Sequence, residues 1–508
     1  MKKLNLLFFF CLFFVFNFSG NAQKIEVSVG KPTKTIESPI MYQSAHDLTE
    51  IGCLGNCFYS GRTDGMQNKL EVDKFDKDHN LLLSKRIELS DSKERYRTLV
   101  GLYIIKGQLY MFTRQNDIEF HLFMAKEFNF YCTKLDQNFE RVGDETLICT
   151  IRGHYRFDAL NYLPAEELSF SPDSSKILIK TCFKEKGDND VTISYKVLTT
   201  NFEPVFDKNI KGANFSYQGK SIVGNDGTIY ALHLMDEHNG KYRSRKLFCC
   251  SPSGKEKKLD LPKDEEASGG YRLKIAPNND ILVMGYLCEE KRTGINLLGI
   301  FYFRIDGTSW TKRFQTVINA DEKVRNGLND ELQYFYEENI ESAANGDIFY
   351  SMVSVMNSKF NKSGPELIIK LDQEGKMIWE NLIMKKQYGE FTYNKFDGTF
   401  AKFIGNHIYI FYNEEEKNLK KISTHPTTFI KKYPEIDRLH SPCLMVAIIN
   451  INSGEMSVKK VYDYNYKENK GIIMPRYSYQ PDPGHIYFLV GQKYSAKYSS
   501  ASLSIENQ

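Results

Sequence analysis

The chain carries at positions 346–349 the stretch Gly346-Asp347-Ile348-Phe349, a turn pair followed by two apolar strand formers. Seven other segments repeat this pattern at an average spacing of about 61 residues. They are Gly55-Asn56-Cys57-Phe58-Tyr59, Gly107-Gln108-Leu109-Tyr110, Ser175-Lys176-Ile177-Leu178, Gly227-Thr228-Ile229-Tyr230, Asn279-Asp280-Ile281-Leu282, Asn406-His407-Ile408-Tyr409 and Gly484-His485-Ile486-Tyr487. A β-rich repeat of this size matches one four-stranded propeller blade. We expect an all-β fold, a single β-propeller of about eight four-stranded blades, with seven as the alternative.

A second motif follows the first and predicts the third strand of a blade, a tight turn and the fourth strand. Examples are Lys74-Phe75-Asp76, Val197-Leu198, Phe303-Arg304-Ile305-Asp306-Gly307, Ile369-Lys370-Leu371-Asp372 and Ile449-Asn450-Ile451-Asn452.

Two segments resemble repeats of known propellers. Residues 168–178, Leu-Ser-Phe-Ser-Pro-Asp-Ser-Ser-Lys-Ile-Leu, resemble the first hairpin of TolB-like and WD-type blades. The turn Leu371-Asp372 to Gly375-Lys376, followed by Trp379, resembles repeats common in exported bacterial propellers. The resemblance implies the fold and no specific family, because the chain has no Trp-Asp signature.

The last repeat supplies only three strands, near 472–478, 485–491 and 497–504. Residues 24–29, Lys-Ile-Glu-Val-Ser-Val, alternate between polar and apolar side chains, as a half-buried strand does. We expect this segment to add the fourth strand of the last blade and close the ring, which removes exposed sheet edges.

Residues 1–22 have the pattern of a secretory signal peptide. Two lysines precede an apolar run from Leu4 to Phe18, and Gly20-Asn21-Ala22 suits signal peptidase. The run has about 15 residues, fewer than the ~20 that span a bilayer. We expect cleavage near Gln23, a propeller domain over 23–508 without a membrane span, and export to the periplasm, the cell surface or the medium.

Composition excludes several classes of protein. With 41% hydrophobic and 13% aromatic residues the chain is too apolar to be disordered. A formal net charge of +3 provides no electrostatic reason to expect nucleic acid or an anionic membrane as partner. We expect a monomer.

Nine cysteines follow the signal segment, so at least one is unpaired. Cys53 and Cys57 are spaced like metal ligands, but no second pair accompanies them. Cys57 also occupies the column that Leu109 and Ile177 fill in other repeats, which predicts a buried structural residue. Asp76 to Asn80 resembles the start of a calcium loop but lacks its glycine and glutamate, so a β-turn is predicted. We expect no metal and no cofactor.

Where the spacing between successive copies of the repeated segment is long, it indicates an insertion. The three insertions are 150–166, 318–340 and 412–441. The first two lie between blades and the third between the second and third strands of a blade, so all three decorate one face. Since binding residues are commonly on loops carried by a rigid scaffold, this face is the predicted binding face. Its candidate binding residues are His154, Arg156, Asp158, His425, Asp437, Arg438 and His440. Within the second insertion, the apolar spacing of Val324, Leu328, Leu332 and Tyr336 predicts a short amphipathic helix.

No catalytic residue is predicted. The chain has no G-x-S-x-G, H-E-x-x-H, P-loop or G-x-G-x-x-G motif. Residues 306–310 match the repeated turn of sialidases only loosely and once, and two tryptophans are too few for a quinone-cofactor propeller. We expect a non-catalytic exported propeller that binds a protein or an envelope component through the predicted binding face. The alternative is a glycan-binding or glycan-active propeller enzyme.

Overall fold

The structure is a computed structural model, and its description covers the strands and most of the turns of the chain. The described residues are 24–34, 48–63, 69–89, 97–119, 124–152, 167–184, 191–212, 215–216, 220–237, 242–261, 268–291, 294–319, 332–343, 345–356, 362–385, 387–388, 398–415, 442–464, 471–482, 484–491 and 497–506. The predicted signal segment lies outside them. Within these ranges the chain is entirely strand and turn, and none of it forms a helix able to cross a membrane.

Eight antiparallel sheets follow one another along the chain, and each is a blade of four main strands. Blade 1 contains β3 (Leu48–Leu54), β4 (Cys57–Thr63), β5 (Lys69–Phe75) and β6 (Leu81–Glu88). Blade 2 contains β7 (Arg97–Ile105), β8 (Gln108–Glu119), β9 (Met124–Leu135) and β10 (Thr146–Arg152). Blade 3 contains β11 (Glu167–Phe170), β12 (Lys176–Lys184), β13 (Val191–Thr199) and β14 (Pro204–Gly212). Blade 4 contains β15 (Phe215–Ser216) and β16 (Ser221–Val223), which share its first position, then β17 (Ile229–Glu237), β18 (Tyr242–Cys250) and β19 (Glu256–Asp260).

The second half of the ring repeats the pattern. Blade 5 contains β20 (Ser268–Ile275), β21 (Ile281–Lys291), β22 (Gly294–Ile305) and β23 (Lys312–Asn319). Blade 6 contains β24 (Leu332–Ser342), β25 (Ile348–Met356), β26 (Lys362–Leu371) and β27 (Met377–Ile383), with β28 (Gln387–Tyr388) paired to β26. Blade 7 contains β29 (Thr399–Ile404), β30 (His407–Glu415), β31 (Pro442–Asn450) and β32 (Met456–Asp463). Blade 8 contains β33 (Ile472–Asp482), β34 (His485–Gly491), β35 (Lys497–Glu506) and β1 (Lys24–Val29), with β2 (Thr33–Lys34) also paired to β35.

The prediction of eight blades is confirmed, because each of the eight repeated segments starts the second strand of a blade. The predicted closure is confirmed as well. Strand β1 pairs antiparallel with β35 over six positions, from Lys24 opposite Glu506 to Val29 opposite Ala501. The last blade is therefore built from both ends of the described chain.

Buried apolar side chains form eight clusters among the described residues, one at each blade-to-blade interface. The cluster that closes the ring joins Phe58 and Phe75 of blade 1 to Ile472, Leu489 and Tyr498 of blade 8. Because each of these clusters joins two neighbouring blades, stability is distributed around the ring as in other repeat proteins.

The first strand of each blade lies innermost, as contacts between first strands of neighbouring blades show, for example β20 with β24 and β3 with β33. Up-and-down order then divides the connections between two faces. The insertion face carries the connections from second to third strands and from blade to blade. The turn face carries the remaining connections, which are two to ten residues long.

Turns between third and fourth strands also join the blades, because the preceding blade donates hydrogen bonds to their carbonyl oxygens. Four donors share this role: Lys74 Nζ to Gln137 (2.8 Å), the Tyr230 hydroxyl to Gly307 (3.1 Å), Arg304 Nη1 to Gln373 (3.3 Å) and Trp379 Nε1 to Ile451 (3.0 Å). Gly454 meets the same indole, where a Cβ would lie 2.7 Å from Trp379 Cγ. Trp379 is thus a packing residue between blades 6 and 7.

Candidate functional site

The three predicted insertions leave the ring on one face, but their bounds differ from the prediction. Strand β10 extends to Arg152, β23 to Asn319 and β30 to Glu415, so the connections shrink to 153–166, 320–331 and 416–441. The predicted helix is wrong for its second half, since Leu332 and Tyr336 lie in β24 and pair with β25. Sequence reasoning also missed a fourth long connection on this face, 35–47, which leads from β2 to blade 1.

The seven candidate binding residues lie outside the described residues, and only the ends of their connections can be placed. The connection 153–166 enters blade 3, whereas 416–441 belongs to blade 7. In a ring of eight blades these two positions are diametrically opposite. The described strands that flank the two groups of candidates, in blades 2 and 3 and in blade 7, therefore belong to separate parts of the ring. The prediction that they form one binding set stays a prediction.

Strand ends at the base of the connection 416–441 are deeply buried. Tyr412 and Glu414 are fully buried near the end of β30, and Cys443 is 1% exposed at the start of β31. The Cys443 thiol donates to the main-chain oxygen of Glu414 (3.3 Å). On the other side of blade 7, Asn413 Nδ2 donates to the carbonyl oxygen of Ile473 in blade 8 (2.8 Å). The longest connection thus starts from a base that both neighbouring blades hold.

Inner strands of blades 2, 5, 6 and 8 carry extra residues relative to their partner strands. The largest bulge is in β33, where Met474 pairs with Leu489 and Ser478 already pairs with Phe488. Within the bulge, Arg476 is exposed and Tyr477 is half-buried. Bulges re-aim side chains and are frequent beside active sites. The bulges make the wall of the central channel, which the innermost strands line, irregular, whereas the turn face is regular.

The turn face, in contrast, is closed by self-contained turns. The Asp76 carboxylate accepts hydrogen bonds from the main-chain NH groups of Asp78 (2.9 Å) and Asn80 (2.8 Å) and from the Asn80 amide (3.0 Å). These bonds, the Asn80 side chain first, lower the pKa of Asp76 below its usual value. The β-turn interpretation of this segment is confirmed. The turn also helps close the ring, since the His79 ring nitrogens lie 2.9 and 3.2 Å from the hydroxyls of Ser500 and Ser502.

All nine cysteines after the signal segment are described, and each is a free thiol. Cys57 occupies its predicted column but is half-buried rather than fully buried. Burial raises the pKa of Cys53, Cys132 and Cys249 to about 12, so these thiols stay protonated and unreactive. No group of three or more His, Cys, Asp or Glu among the described residues could hold a metal ion.

Sequence reasoning missed a buried histidine between blades 3 and 4. His233 is 3% exposed, and its Nε2 lies 2.9 Å from the fully buried Tyr195 hydroxyl. Its ring stacks on Phe248 with centroids 5.4 Å apart. Burial first, and then the charges of Lys180 and Lys258, lower the pKa of His233 to about 3. The imidazole is therefore neutral in the folded protein at pH 7.

This histidine makes stability depend on pH. The unfolded chain binds a proton at His233 near pH 6.5 and the folded chain only near pH 3, so stability falls as the pH drops between these values. From pH 7 to pH 4 we expect this group to cost about 2–3 kcal/mol. The His233→Gln variant keeps an acceptor for Tyr195 and should lose that part of the pH dependence. Urea unfolding at pH 7 and pH 4 measures the free energy of unfolding of both proteins. An equal loss of free energy between the two pH values in wild type and variant would contradict the assignment.

The fold and the clusters define the chain as an eight-bladed β-propeller protein. No protein-family model and no curated protein sequence matches it. Among solved structures, an oligogalacturonate lyase in complex with manganese is similar with 12% identity and a TM-score of 0.36, over 81% of this chain and 97% of its own. The polysaccharide lyase Uly1 has 10% identity and a TM-score of 0.38, over 95% and 99%. Prolyl oligopeptidase B from Galerina marginata has 9% identity and a TM-score of 0.39, over 89% of this chain and 56% of its own. At these values the similarities carry no argument about function.

Proposed function

We propose that this protein is an exported, non-catalytic β-propeller that binds a protein or an envelope component through its insertion face. The observation that carries the proposal is the difference between the two faces. Every connection of twelve or more residues leaves from the insertion face, whereas the turn face has short turns that are bonded within themselves and, in blades 2, 5, 6 and 7, to the preceding blade. Long loops on a rigid scaffold are the usual place of binding residues.

The base of the connection 416–441 supports the same proposal. Loop positions are useful for recognition when the strands that carry them are held, because less ordering entropy is lost on binding. Glu414 and Cys443 are buried on the blade 6 side, and Asn413 is bonded to blade 8. The 26 residues between Glu415 and Pro442 therefore start from two fixed points.

An affinity experiment tests the proposal. The mature protein, immobilised, is incubated with an envelope fraction of its source cells, next to a variant in which a short Gly-Ser linker replaces residues 416–441. We expect the variant to recover the specific partner at least tenfold less, a loss of about 1.4 kcal/mol or more of binding free energy. Equal recovery by both proteins would refute the assignment.

The matched control changes the turn face. Lys77 and Asp78 are exposed in the turn between β5 and β6, and the double variant Lys77→Ala/Asp78→Ala removes both side chains without touching a buried group. Wild-type recovery by this variant would place binding on the insertion face. A loss equal to that of the linker variant would indicate that the turn face binds instead.

A glycan ligand is the second candidate, and the irregular channel wall favours it. The largest bulge, in β33, carries the exposed Arg476, whereas the neighbouring Tyr477 packs into the cluster between blades 8 and 1. A guanidinium group is suited to the carboxylate of an acidic sugar. The Arg476→Ala variant separates the candidates, because it should weaken retention on an acidic oligosaccharide matrix and leave protein capture unchanged.

A further inference from the structure

The interface between blades 6 and 7 changes character along its length. In the middle it is apolar, with Ile368 and Ile383 of blade 6 packed with Ile410 and Met445 of blade 7. Toward the insertion face it becomes polar. We call this end the blade 6–7 polar cluster, and its members, each at most 1% exposed, are Glu366, Lys385, Tyr412, Glu414 and Cys443.

Strand alternation and one ion pair bring these five side chains to one interface. Glu366 lies two residues before Ile368 on β26 and therefore faces blade 7, and Lys385, which follows the end of β27, is placed beside it by their ion pair. On blade 7, Glu414 follows Tyr412 by two residues and therefore faces blade 6. On both blades, the polar side chains of the cluster continue the rows of buried apolar side chains toward the insertion face.

Lys385 supplies the positive charge of this cluster. Its Nζ lies 3.6 Å from Glu366 Oε2, and both side chains are at most 2% exposed. In the described part of the chain this ammonium group makes no hydrogen bond. Fully buried charges add little to stability compared with apolar residues of the same volume. A role other than stability would explain why an ion pair occupies this interface.

That role follows from what lies above the cluster. Glu414 and Cys443 are next to the two residues from which the connection 416–441 leaves. We propose that Lys385 is a positioning residue for this connection. Its charge offsets the buried carboxylate of Glu366 on the surface of blade 6 that faces blade 7, and so keeps the two strand ends of blade 7, at Glu414 and Cys443, packed against blade 6. The proposal rests on the binding function proposed above.

The labelling rate of the Cys443 thiol measures the packing of the cluster directly, and this measurement needs no binding partner. Its thiol is buried and bonded to Glu414, so a thiol reagent modifies it only when the strand ends separate from blade 6. In the Lys385→Met variant we expect the native-state labelling rate of Cys443 to rise at least tenfold. Lys385→Arg, which keeps the charge, should stay within threefold of wild type. Cys249 and Cys288 in blades 4 and 5 serve as internal references for global unfolding.

A matched control exists at the other end of the same interface. Lys370 is 4% exposed on β26 and pairs with Asp347 at 2.8 Å. Lys370→Met should lower the melting temperature without raising the labelling of Cys443 above that of the references. Equal labelling of Cys443 in both Met variants, or an unchanged rate in Lys385→Met, would overturn the proposal. Lys385→Gln replaces Lys385→Met if the latter does not fold.

Partner capture completes the test and separates the two proposals. Against the same envelope fraction, Lys385→Met should lose recovery as the linker variant does, and Lys370→Met should keep it. If the linker variant itself keeps full recovery, the binding function fails, while the labelling result still decides the role of Lys385. If Lys385→Met labels faster but captures normally, the positioning role is refuted.

Discussion

Deletion of residues 23–30 is expected to lower the melting temperature by about 5 °C or more. Strand β1 contributes three half-buried apolar side chains, Ile25, Val27 and Val29, to the cluster between blades 7 and 8. At half burial each stabilises by about 1 kcal/mol, and the six-residue ladder to β35 is lost as well. The deletion also exposes β35 as an unpaired edge, which favours aggregation. Thermal unfolding followed by circular dichroism measures the change.

The control for this deletion lies on the same strand. Ser28 is exposed, so Ser28→Ala should leave the melting temperature within about 1 °C, as surface substitutions usually do. A synthetic peptide of residues 24–34 added to the truncated protein should restore part of the loss, because an extended segment can add to an open sheet edge. An unchanged melting temperature after deletion would show that the ring does not depend on β1.

Removing Asp280 is expected to destabilise the protein by about 3–5 kcal/mol, because it leaves a buried arginine without its carboxylate. Arg304 Nε donates to Asp280 Oδ2 at 2.6 Å, and the two side chains are 8% and 2% exposed. Arg304 also donates to the Gln373 carbonyl oxygen, so the pair joins the turn of blade 5 to blade 6. Arg313 contacts the other oxygen of Asp280 at 3.2 Å but is 46% exposed, and water replaces its partner at little cost. Urea unfolding of Asp280→Ala measures the loss.

Two comparisons make this prediction specific. The double variant Asp280→Leu/Arg304→Met replaces the buried pair by apolar groups and should recover most of the stability, since a buried pair is costly to break but not to replace. Glu88→Gln removes the exposed contact of Lys69 with Glu88 and should cost less than about 0.5 kcal/mol. A loss below 1 kcal/mol in Asp280→Ala would mean that the pair is solvated.

Predictions from the sequence succeeded where a local pattern repeats. The strand after each turn, the tight turn before each fourth strand and the alternation of residues 24–29 all depend on neighbours within a few positions. Errors occurred where two structures fit the same residues. Leu332 and Tyr336 have helical spacing, yet pairing with β25 places them in a strand. Cys57 follows its column in the repeat, but its place in blade 1 leaves it half-buried.

No sequence pattern indicated the buried polar groups between blades. His233 meets Tyr195 across 38 positions, and Lys74 meets Gln137 across 63. Neither its residue type nor its spacing distinguishes any of these residues from the rest of its strand or turn. Their effect arises only when two blade faces meet, because burial then lowers the pKa of the histidine and strengthens the hydrogen bond of the lysine.

The sequence by itself determined an all-β ring of eight repeats, its closing strand and the face from which the longest connections leave. Turn residues and the two-residue period of strands are local properties, and up-and-down order follows from them. Only the tertiary structure decided which side chains share an interface, and therefore that Glu366, Lys385 and Glu414 are buried at the same end of the blade 6–7 interface. It also placed the strands that flank the connection 153–166 in blades 2 and 3 and those that flank 416–441 in blade 7. Both outcomes depend on the packing of blades and on the number of blades between them, which no short stretch of residues encodes.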